Sequence, residues 1–149
     1  APADAEGTIT FDLPRTVDGT RLAGVELTVE NNEVVDYAAE QGEATLGELL
    51  DTDAGASRLG ELGIGMNRGI DRLTDRILFD EKMAETVHLA IGRAYDACLP
   101  AGETGIDSAI HVDLLADMRT DSRLLVDGEC IQQNGTFRWE EGFAATTAE

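Results

Sequence analysis

The strand pattern of this chain is clearest in Leu22-Ala23-Gly24-Val25-Glu26-Leu27-Thr28-Val29-Glu30, where apolar and polar residues largely alternate. A period of two is typical of a strand that buries one face. The turn pair Asn31-Asn32 follows, and Glu33 to Tyr37 continues in the same way. Because Thr8 to Leu13 also alternates and Asp18-Gly19 marks another turn, the first forty residues predict a strand meander.

Beyond the meander the pattern becomes mixed. Apolar residues at helical spacing predict one amphipathic helix from Ala38 to Leu50. The run Ile77-Leu78-Phe79 predicts a short buried segment, and Val87 to Ile91 and Ala109 to Leu115 predict core strands. The middle of the chain is therefore expected to be α+β.

Turn residues mark a hairpin near the end of the chain. Arg123 to Val126 and Cys130 to Gln132 flank Asp127-Gly128, a pair that tight hairpin turns prefer because glycine tolerates positive φ. Asn134-Gly135 predicts a second turn, followed by a last strand from Thr136 to Trp139.

No internal repeat and no interdomain linker interrupts the sequence, so we expect a single domain over residues 1–149. Its predicted class is α+β, with mainly antiparallel or mixed β-sheet and a few helices. Residues 140–149 are mostly small or acidic, and residues 139–149 are expected to form a flexible tail.

The charge balance is strongly acidic. Thirty Asp and Glu residues stand against eleven Lys and Arg residues, which gives a net charge of −19, and Lys82 is the only lysine. Self-repulsion on this scale is screened only in concentrated salt, because the Debye length falls from about 30 Å at 0.01 M to about 3 Å at 1 M. Since the acids are spread along the chain, we interpret them as a halophilic surface in preference to an acidic interaction module.

The same composition bears on partners and location. No basic stripe is present, so nucleic acid is excluded as a partner. No apolar run approaches the ~20 residues of a membrane span, and Ala1 to Asp4 do not resemble a signal peptide.

Cys98 and Cys130 are too far apart for a CxxC site, and a reduced pair is the simpler interpretation, with a bridge left open. We therefore expect a cytoplasmic protein.

The two histidines, His88 and His111, are the first candidates for chemistry. On a strand, His111 and Asp113 would lie on one face roughly 6.6 Å apart, where both could reach one or two metal ions. The alternative is a histidine hydrogen-bonded to its neighbouring aspartate on a half-exposed strand.

Carboxylates elsewhere favour the metal site. Asp80-Glu81 precedes His88, and Tyr95 follows it. Glu61 lies between glycines in an otherwise apolar segment. A carboxylate buried there would need a cation or several hydrogen-bond donors.

Taken in order, these segments resemble the thermophilic-type metallo-aminopeptidases of family M29, the aminopeptidase T and aminopeptidase S type. The likeness covers roughly residues 1 to 138. It rests on Arg58-Leu59-Gly60-Glu61, Ile77-Leu78-Phe79-Asp80-Glu81, His88-Leu89-Ala90-Ile91-Gly92-Arg93-Ala94-Tyr95 and Ser108-Ala109-Ile110-His111-Val112-Asp113, with Asp127-Gly128 behind them. The fold implied is the C-terminal metal-binding portion of a longer aminopeptidase.

The activity that the resemblance implies is a leucyl-aminopeptidase-like hydrolysis of N-terminal residues from peptide substrates. The cofactors implied are two divalent metal ions, either Zn, Co or Mn, and we expect a homodimer. The implied metal ligands are Glu61 as bridging carboxylate, His88, Tyr95, His111 and Asp113.

Glu81 is the general base that the resemblance implies, with Asp80 and Glu85 as alternatives. Tyr95, taken without the resemblance, would be interpreted as a half-buried packing residue.

One further ligand is expected outside the sequence. In the family, the first metal-binding glutamate lies in a motif that ends in Thr-Ala-Pro, and Ala1-Pro2 match its last two residues. We therefore expect that ligand, and the family's long N-terminal half, to precede residue 1, so that the ion pair of this fragment is incomplete. The alternative function is a non-enzymatic acidic module that dimerises or binds a metal structurally.

Overall fold

The computed structural model describes residues 4–99 and 101–144, without the side chain of Cys98. The chain forms two compact units, one of Ala1–Gly63 with His88–Ala116 and the other of Ile64–Val87 with Asp117–Glu149. Whether Cys98 and Cys130 are reduced, as expected, or bridged, and residues 145–149 of the predicted tail, lie outside the described part.

The predicted meander is confirmed in the first unit. Its long central strand, β3 (Thr20–Glu30), pairs antiparallel with β1 (Gly7–Phe11), with the short β2 (Arg15–Val17) and with β4 (Glu33–Gln41). Leu22, Val25, Leu27 and Val29 of β3 are buried. Their spacing shifts by one residue at Gly24, whose φ of 57° departs from strand geometry.

The predicted helix begins later than expected, because strand β4 continues to Gln41 and α1 spans Glu43–Leu50. Gly42 separates the two elements with a φ of 80°. A Cβ atom there would come 2.6 Å from the carbonyl oxygen of Arg21, so this sharp change of direction requires glycine. The prediction of a helix from Ala38 was therefore wrong for its first five residues.

A three-stranded sheet of order β5-β6-β7 carries the middle of the chain. Its strands are β5 (Leu59–Ile64), β6 (Thr86–Gly92) and β7 (His111–Asp117), which confirms the two predicted core strands. Val112, Leu114 and Ala116 of β7 join the core formed by the meander and α1. Since side chains alternate along a strand, His111 and Asp113 lie on the opposite face of β7.

The segment Ile77-Leu78-Phe79 was predicted to be buried, and this was wrong. It forms a short helix, α2 (Ile77–Asp80), in which Leu78 and Phe79 are 71% and 56% exposed. The buried residue of α2 is Asp80, whose Oδ1 accepts hydrogen bonds from the backbone and the hydroxyl of Thr74 at 2.9 and 2.7 Å. A polar anchor, and not an apolar face, therefore holds this turn.

The terminal hairpin is confirmed in the second unit. Strands β8 (Arg123–Val126) and β9 (Glu129–Gln133) are joined at Asp127-Gly128, both with positive φ. The last strand is shorter than predicted, since β10 covers only Thr136–Phe137. The backbone turns back there, because the N–H of Glu140 donates to the Phe137 carbonyl at 2.9 Å. The described structure is α+β as expected. In addition to its two α-helices it contains a 3-10 turn at Asp96–Cys98.

Candidate metal centre

Four of the predicted ligands come together in the first unit, on the three strands of one sheet. Glu61 lies on β5, His88 on the central strand β6, and His111 and Asp113 on β7. One oxygen of Glu61 lies 3.3 Å from Nε2 of His88, and its other oxygen lies 3.5 Å from Nε2 of His111. Glu61 therefore reaches both imidazoles at once.

The tautomer of His111 follows from its backbone partner. Its Nδ1 lies 2.8 Å from the carbonyl oxygen of Arg93, which can only accept a hydrogen bond. In the neutral ring the proton therefore sits on Nδ1, and the lone pair is on Nε2. A backbone carbonyl on the far nitrogen is the usual way that a metal-ligating histidine is oriented.

This tautomer directs a lone pair at two carboxylates. Nε2 of His111 lies 3.4 Å from Oδ1 of Asp113 and 3.5 Å from Glu61. Acceptors that face one another at this distance repel unless a proton or a cation lies between them. Ligand atoms of Glu61, His111 and Asp113 all lie within 4.8 Å of one another, close enough to share one ion.

Two buried polar atoms provide an independent test of whether a metal fits. Within the described residues, Oδ1 of Asp113 and Nδ1 of His88 have no hydrogen-bond partner. Buried polar groups are nearly always satisfied, and a carboxylate oxygen without a donor is costly. Two carboxylates and two imidazoles are also a donor set that Zn, Co and Mn accept. The residues present therefore fit a divalent cation.

Glycines bring the strands of the site into close approach. A Cβ atom on Gly63 would lie 2.1 Å from Cε1 and Nε2 of His88. One on Gly60 would lie 2.5 Å from the carbonyl oxygens of Gly92 and Arg93. The carbonyl of Arg93 is the one that orients His111, so Gly60 allows β5 to pack directly behind that contact.

The start of β7 is held by an aspartate from an earlier turn. One oxygen of Asp53 accepts from the N–H of Ala109 at 2.7 Å and from the hydroxyl of Ser108 at 3.1 Å, while the other accepts from the N–H of Gly55 at 2.9 Å. The hydrogen bond from Ala109 is the main cause that lowers the pKa of Asp53. Asp53 thus anchors the segment that leads into His111.

Tyr95 lies at the edge of the cluster. Its ring centroid is 4.9 Å from that of His111, with the planes tilted by 50°, and half of its surface is exposed. The ring contact places Tyr95 next to the predicted ligand His111, and a half-buried ring packed on a neighbour also fits the packing residue that the sequence alone would suggest.

The three candidates for the general base all belong to the second unit. Glu81 follows α2 and forms an ion pair with Lys82. Asp80 anchors Thr74, as described above, and Glu85 lies 2.9 Å from the guanidinium of Arg68. Each of the three candidates therefore has a side-chain partner within the second unit.

Arg15 is the residue beside the cluster that sequence reasoning missed. Its Nη1 donates to the carbonyl oxygen of Asp113 at 2.6 Å and lies 3.4 Å from Oδ2 of the same residue. No local pattern could have pointed to it, because Arg15 and Asp113 are brought together only by the tertiary fold.

The chain is similar in sequence and in fold to known proteins. The family model for thermophilic metalloprotease (M29) matches residues 1–137. Aminopeptidase 2 of Geobacillus stearothermophilus is 37% identical in an alignment 153 residues long. The alignment covers 90% of this chain and 36% of the relative. The chain thus spans about a third of the length of that relative.

Among the helices of the described residues, none is long and apolar enough to cross a membrane.

Solved structures share the fold. The wild-type AmpT of Thermus thermophilus superimposes with a TM-score of 0.77 at 30% identity, covering 92% of this chain and 37% of that one. The 2,5-dihydroxypyridine dioxygenase of Pseudomonas putida has a TM-score of 0.67 at 14% identity, with 93% of this chain and 42% of that chain covered, and is similar in fold alone. The family implies the use of a divalent metal, and the chain belongs to the thermophilic metalloprotease (M29) family.

Proposed function

We propose that this chain supplies the metal-binding part of a metallo-aminopeptidase that removes N-terminal residues from peptides. The observation that carries the proposal is the convergence of Glu61, His111 and Asp113 on one point, with a lone pair and an unpaired carboxylate oxygen facing each other. The name of the relative aminopeptidase 2, and that of aminopeptidase T of Thermus thermophilus, which is 36% identical over 72% of this chain, support the activity.

Two divalent ions, Zn, Co or Mn, are proposed as cofactors, with Glu61 bridging them. The reach of Glu61 to both His88 and His111 supports this role. His88, His111 and Asp113 are proposed as further ligands, and Tyr95 joins them from its position against the His111 ring. When bound, such ions lower the pKa of water toward neutrality and polarise a carbonyl group.

The remaining chemistry is assigned to side chains of this chain. Glu81 is proposed as the general base. It would accept a proton from the water that attacks the scissile carbonyl and pass this proton to the leaving amine. Asp80 is buried against Thr74 and Glu85 is paired with Arg68, whereas the partner of Glu81 is the exposed neighbouring Lys82, so we retain Glu81 over these two alternatives. The positively charged α-amine of a peptide would pair with carboxylates of the site, which is a physical reason for cleavage at the N-terminus only.

We also propose where the protein acts and in what form. It is a cytoplasmic, salt-adapted protein that acts as a homodimer. The net charge of −19 supports adaptation to salt, because such a chain repels itself when its charges are unscreened.

Metal content tests the site itself. Glu61→Ala and His111→Ala are each expected to lower the bound metal, measured by elemental analysis after dialysis, far more than Asp51→Ala. Asp51 is a suitable control because it is an exposed acid in a turn of the same unit. Equal metal content in all three variants would overturn the ligand assignment.

Hydrolysis of leucine p-nitroanilide in molar KCl, with added Co²⁺ or Zn²⁺, tests the activity. It should be measured on this chain and on a form extended upstream of Ala1, each with a Glu81→Gln counterpart. We expect activity in the extended form and its loss in the Glu81 variant. An extended form that binds metal without hydrolysing the substrate would favour the non-enzymatic acidic module instead.

A further inference from the structure

Arg15 is brought to the metal centre by the register of a short pairing in the first unit. Leu13 forms an isolated antiparallel bridge with Leu115, and its N–H donates to the Leu115 carbonyl at 3.3 Å. Two residues further along each antiparallel segment, Arg15 comes opposite Asp113. The side chain of Arg15 then donates to the Asp113 carbonyl at 2.6 Å, so it is fixed to the backbone of the ligand residue.

The same guanidinium separates the roles of the two carboxylate oxygens. Oδ2 of Asp113 lies 3.4 Å from Nη1 of Arg15, whereas Oδ1 lies 3.4 Å from Nε2 of His111. Oδ1 is the oxygen that has no hydrogen-bond partner among the described residues. The Asp113 side chain is 6% exposed and that of Arg15 is 18% exposed, so little water competes for either oxygen.

We propose that Arg15 is a positioning residue that holds Asp113 with Oδ2 turned away and Oδ1 directed at the metal ion. The inference rests on the proposed metal centre and extends it by one residue. Without the guanidinium, the carboxylate is free to rotate about χ2, and its buried backbone carbonyl loses its side-chain donor. Asp113 then has to be ordered each time an ion binds, which weakens the affinity.

Charge alone predicts the opposite result. A guanidinium close to a divalent cation repels it, so removal of Arg15 would strengthen metal binding if repulsion were the larger effect. Orientation is expected to dominate because the guanidinium lies beside Oδ2 and the backbone carbonyl, and Oδ1 is the oxygen that faces His111. The sign of the change in affinity therefore distinguishes the two effects.

The test is titration of the metal-free chain with Co²⁺ by calorimetry, together with the visible absorption spectrum of the bound ion. Arg15→Ala is expected to weaken binding by about 10- to 100-fold, as for other partners of metal ligands, and to change the spectrum. Arg15→Lys keeps a charged donor nitrogen and should recover most of the affinity. Arg21→Ala, an exposed arginine on the neighbouring strand β3, is the matched control and should bind like the parent.

Thermal melts of the metal-free proteins separate positioning from folding. A merely structural role would lower the melting temperature of Arg15→Ala and leave the affinity and spectrum of the folded protein unchanged, which would overturn the proposal. Tighter binding by Arg15→Ala would overturn it as well. If neither the parent chain nor the form extended upstream of Ala1 binds Co²⁺, the metal centre itself is wrong, and the proposed role of Arg15 is wrong with it.

Discussion

Gly63 lies against the imidazole of His88, on the strand next to it. A methyl group at this position would be 2.1 Å from two ring atoms, far inside van der Waals contact. Gly63→Ala is therefore expected to displace the ring, lower the free energy of unfolding by about 1–3 kcal/mol as overpacking does, and weaken metal binding. Chemical denaturation and calorimetry measure the two effects. Gly69→Ala, which meets only a side-chain oxygen of Asn67, is the control, and equal behaviour of both variants would contradict the packing argument.

The orientation of His111 gives a prediction that needs no metal. Since Nδ1 donates to the Arg93 carbonyl, the neutral ring should carry its proton on Nδ1 and not on Nε2, which is the commoner site in free histidine. Nitrogen chemical shifts of the metal-free chain, labelled at histidine, report the tautomer directly. A ring protonated on Nε2 in its neutral form would remove the argument that a lone pair faces Glu61 and Asp113.

The residues of the site differ in how far the sequence could predict them. His111 and Asp113 followed from the period of two along one strand, and the structure has them on one face of β7. Glu61 was expected to be buried in its glycine-rich segment, but its side chain is 32% exposed, and its partners are the two histidines. Arg15 could not be predicted, because its place depends on the register between segments that are distant in sequence.

At the scale of elements, Asp53 links a turn to the beginning of β7. Both of its oxygens accept hydrogen bonds, one from Gly55 and the other from Ser108 and Ala109. Asp53→Asn keeps only one acceptor oxygen, so we expect a lower melting temperature and a weaker metal affinity. Asp51→Asn, in the same turn, should change neither. An Asp53 variant with parental metal affinity would show that the turn does not help to place His111.

Both mispredicted elements depend on contacts that the local sequence pattern does not show. Ile77 to Phe79 is a short apolar run, which periodicity alone cannot assign to a helix or a strand. Its outcome was decided by the contact between Asp80 and Thr74, which closes the turn around a buried carboxylate. The helix that was expected from Ala38 begins at Glu43, because the pairing of β4 with β3 extends the strand up to Gly42.

Arg68 organises the second unit through two glutamates. Its guanidinium donates to Glu140 and Glu85 and to the carbonyl of Gly135. The hydrogen bond from Arg68 is the main cause that lowers the pKa of Glu140 from 4.5 to about 2. Because the folded-state pKa lies below the unfolded value, the contribution of Glu140 to stability is fully present above pH 4.5 and is lost as the pH falls toward 2.

The pH dependence of melting tests this pair. Glu140→Gln should melt at a lower temperature than the parent above pH 4.5, and the difference should shrink as the pH falls toward 2. Glu141→Gln, at the exposed neighbouring position, should follow the parent at every pH. A difference between Glu140→Gln and the parent that stays constant over this range would mean that the carboxylate is not held by Arg68.

For the molecule as a whole, the acidic charge is the property that the fold explains least. Glu26, Glu30, Glu33, Asp36 and Glu40 are all exposed on strands β3 and β4. Several acids elsewhere have structural roles, as Asp53, Asp80 and Glu140 do. The exposed acids of the two strands are all negatively charged, and like charges at neighbouring positions of a sheet repel one another.

Salt should therefore stabilise the chain beyond the range in which ordinary surface pairs respond. Repulsion acts over about 10 Å at 0.1 M and about 3 Å at 1 M, so the melting temperature is expected to keep rising with KCl up to molar concentration. A variant with Glu30→Gln, Glu40→Gln and Glu48→Gln removes three exposed acids of one unit and should melt higher than the parent in dilute buffer, with a smaller gain from KCl. Sucrose, which is excluded from protein surfaces without screening charge, separates the electrostatic effect from general stabilisation by co-solvents. A melting temperature independent of KCl would favour an acidic surface that binds a partner, and it would remove the physical basis for adaptation to high salt.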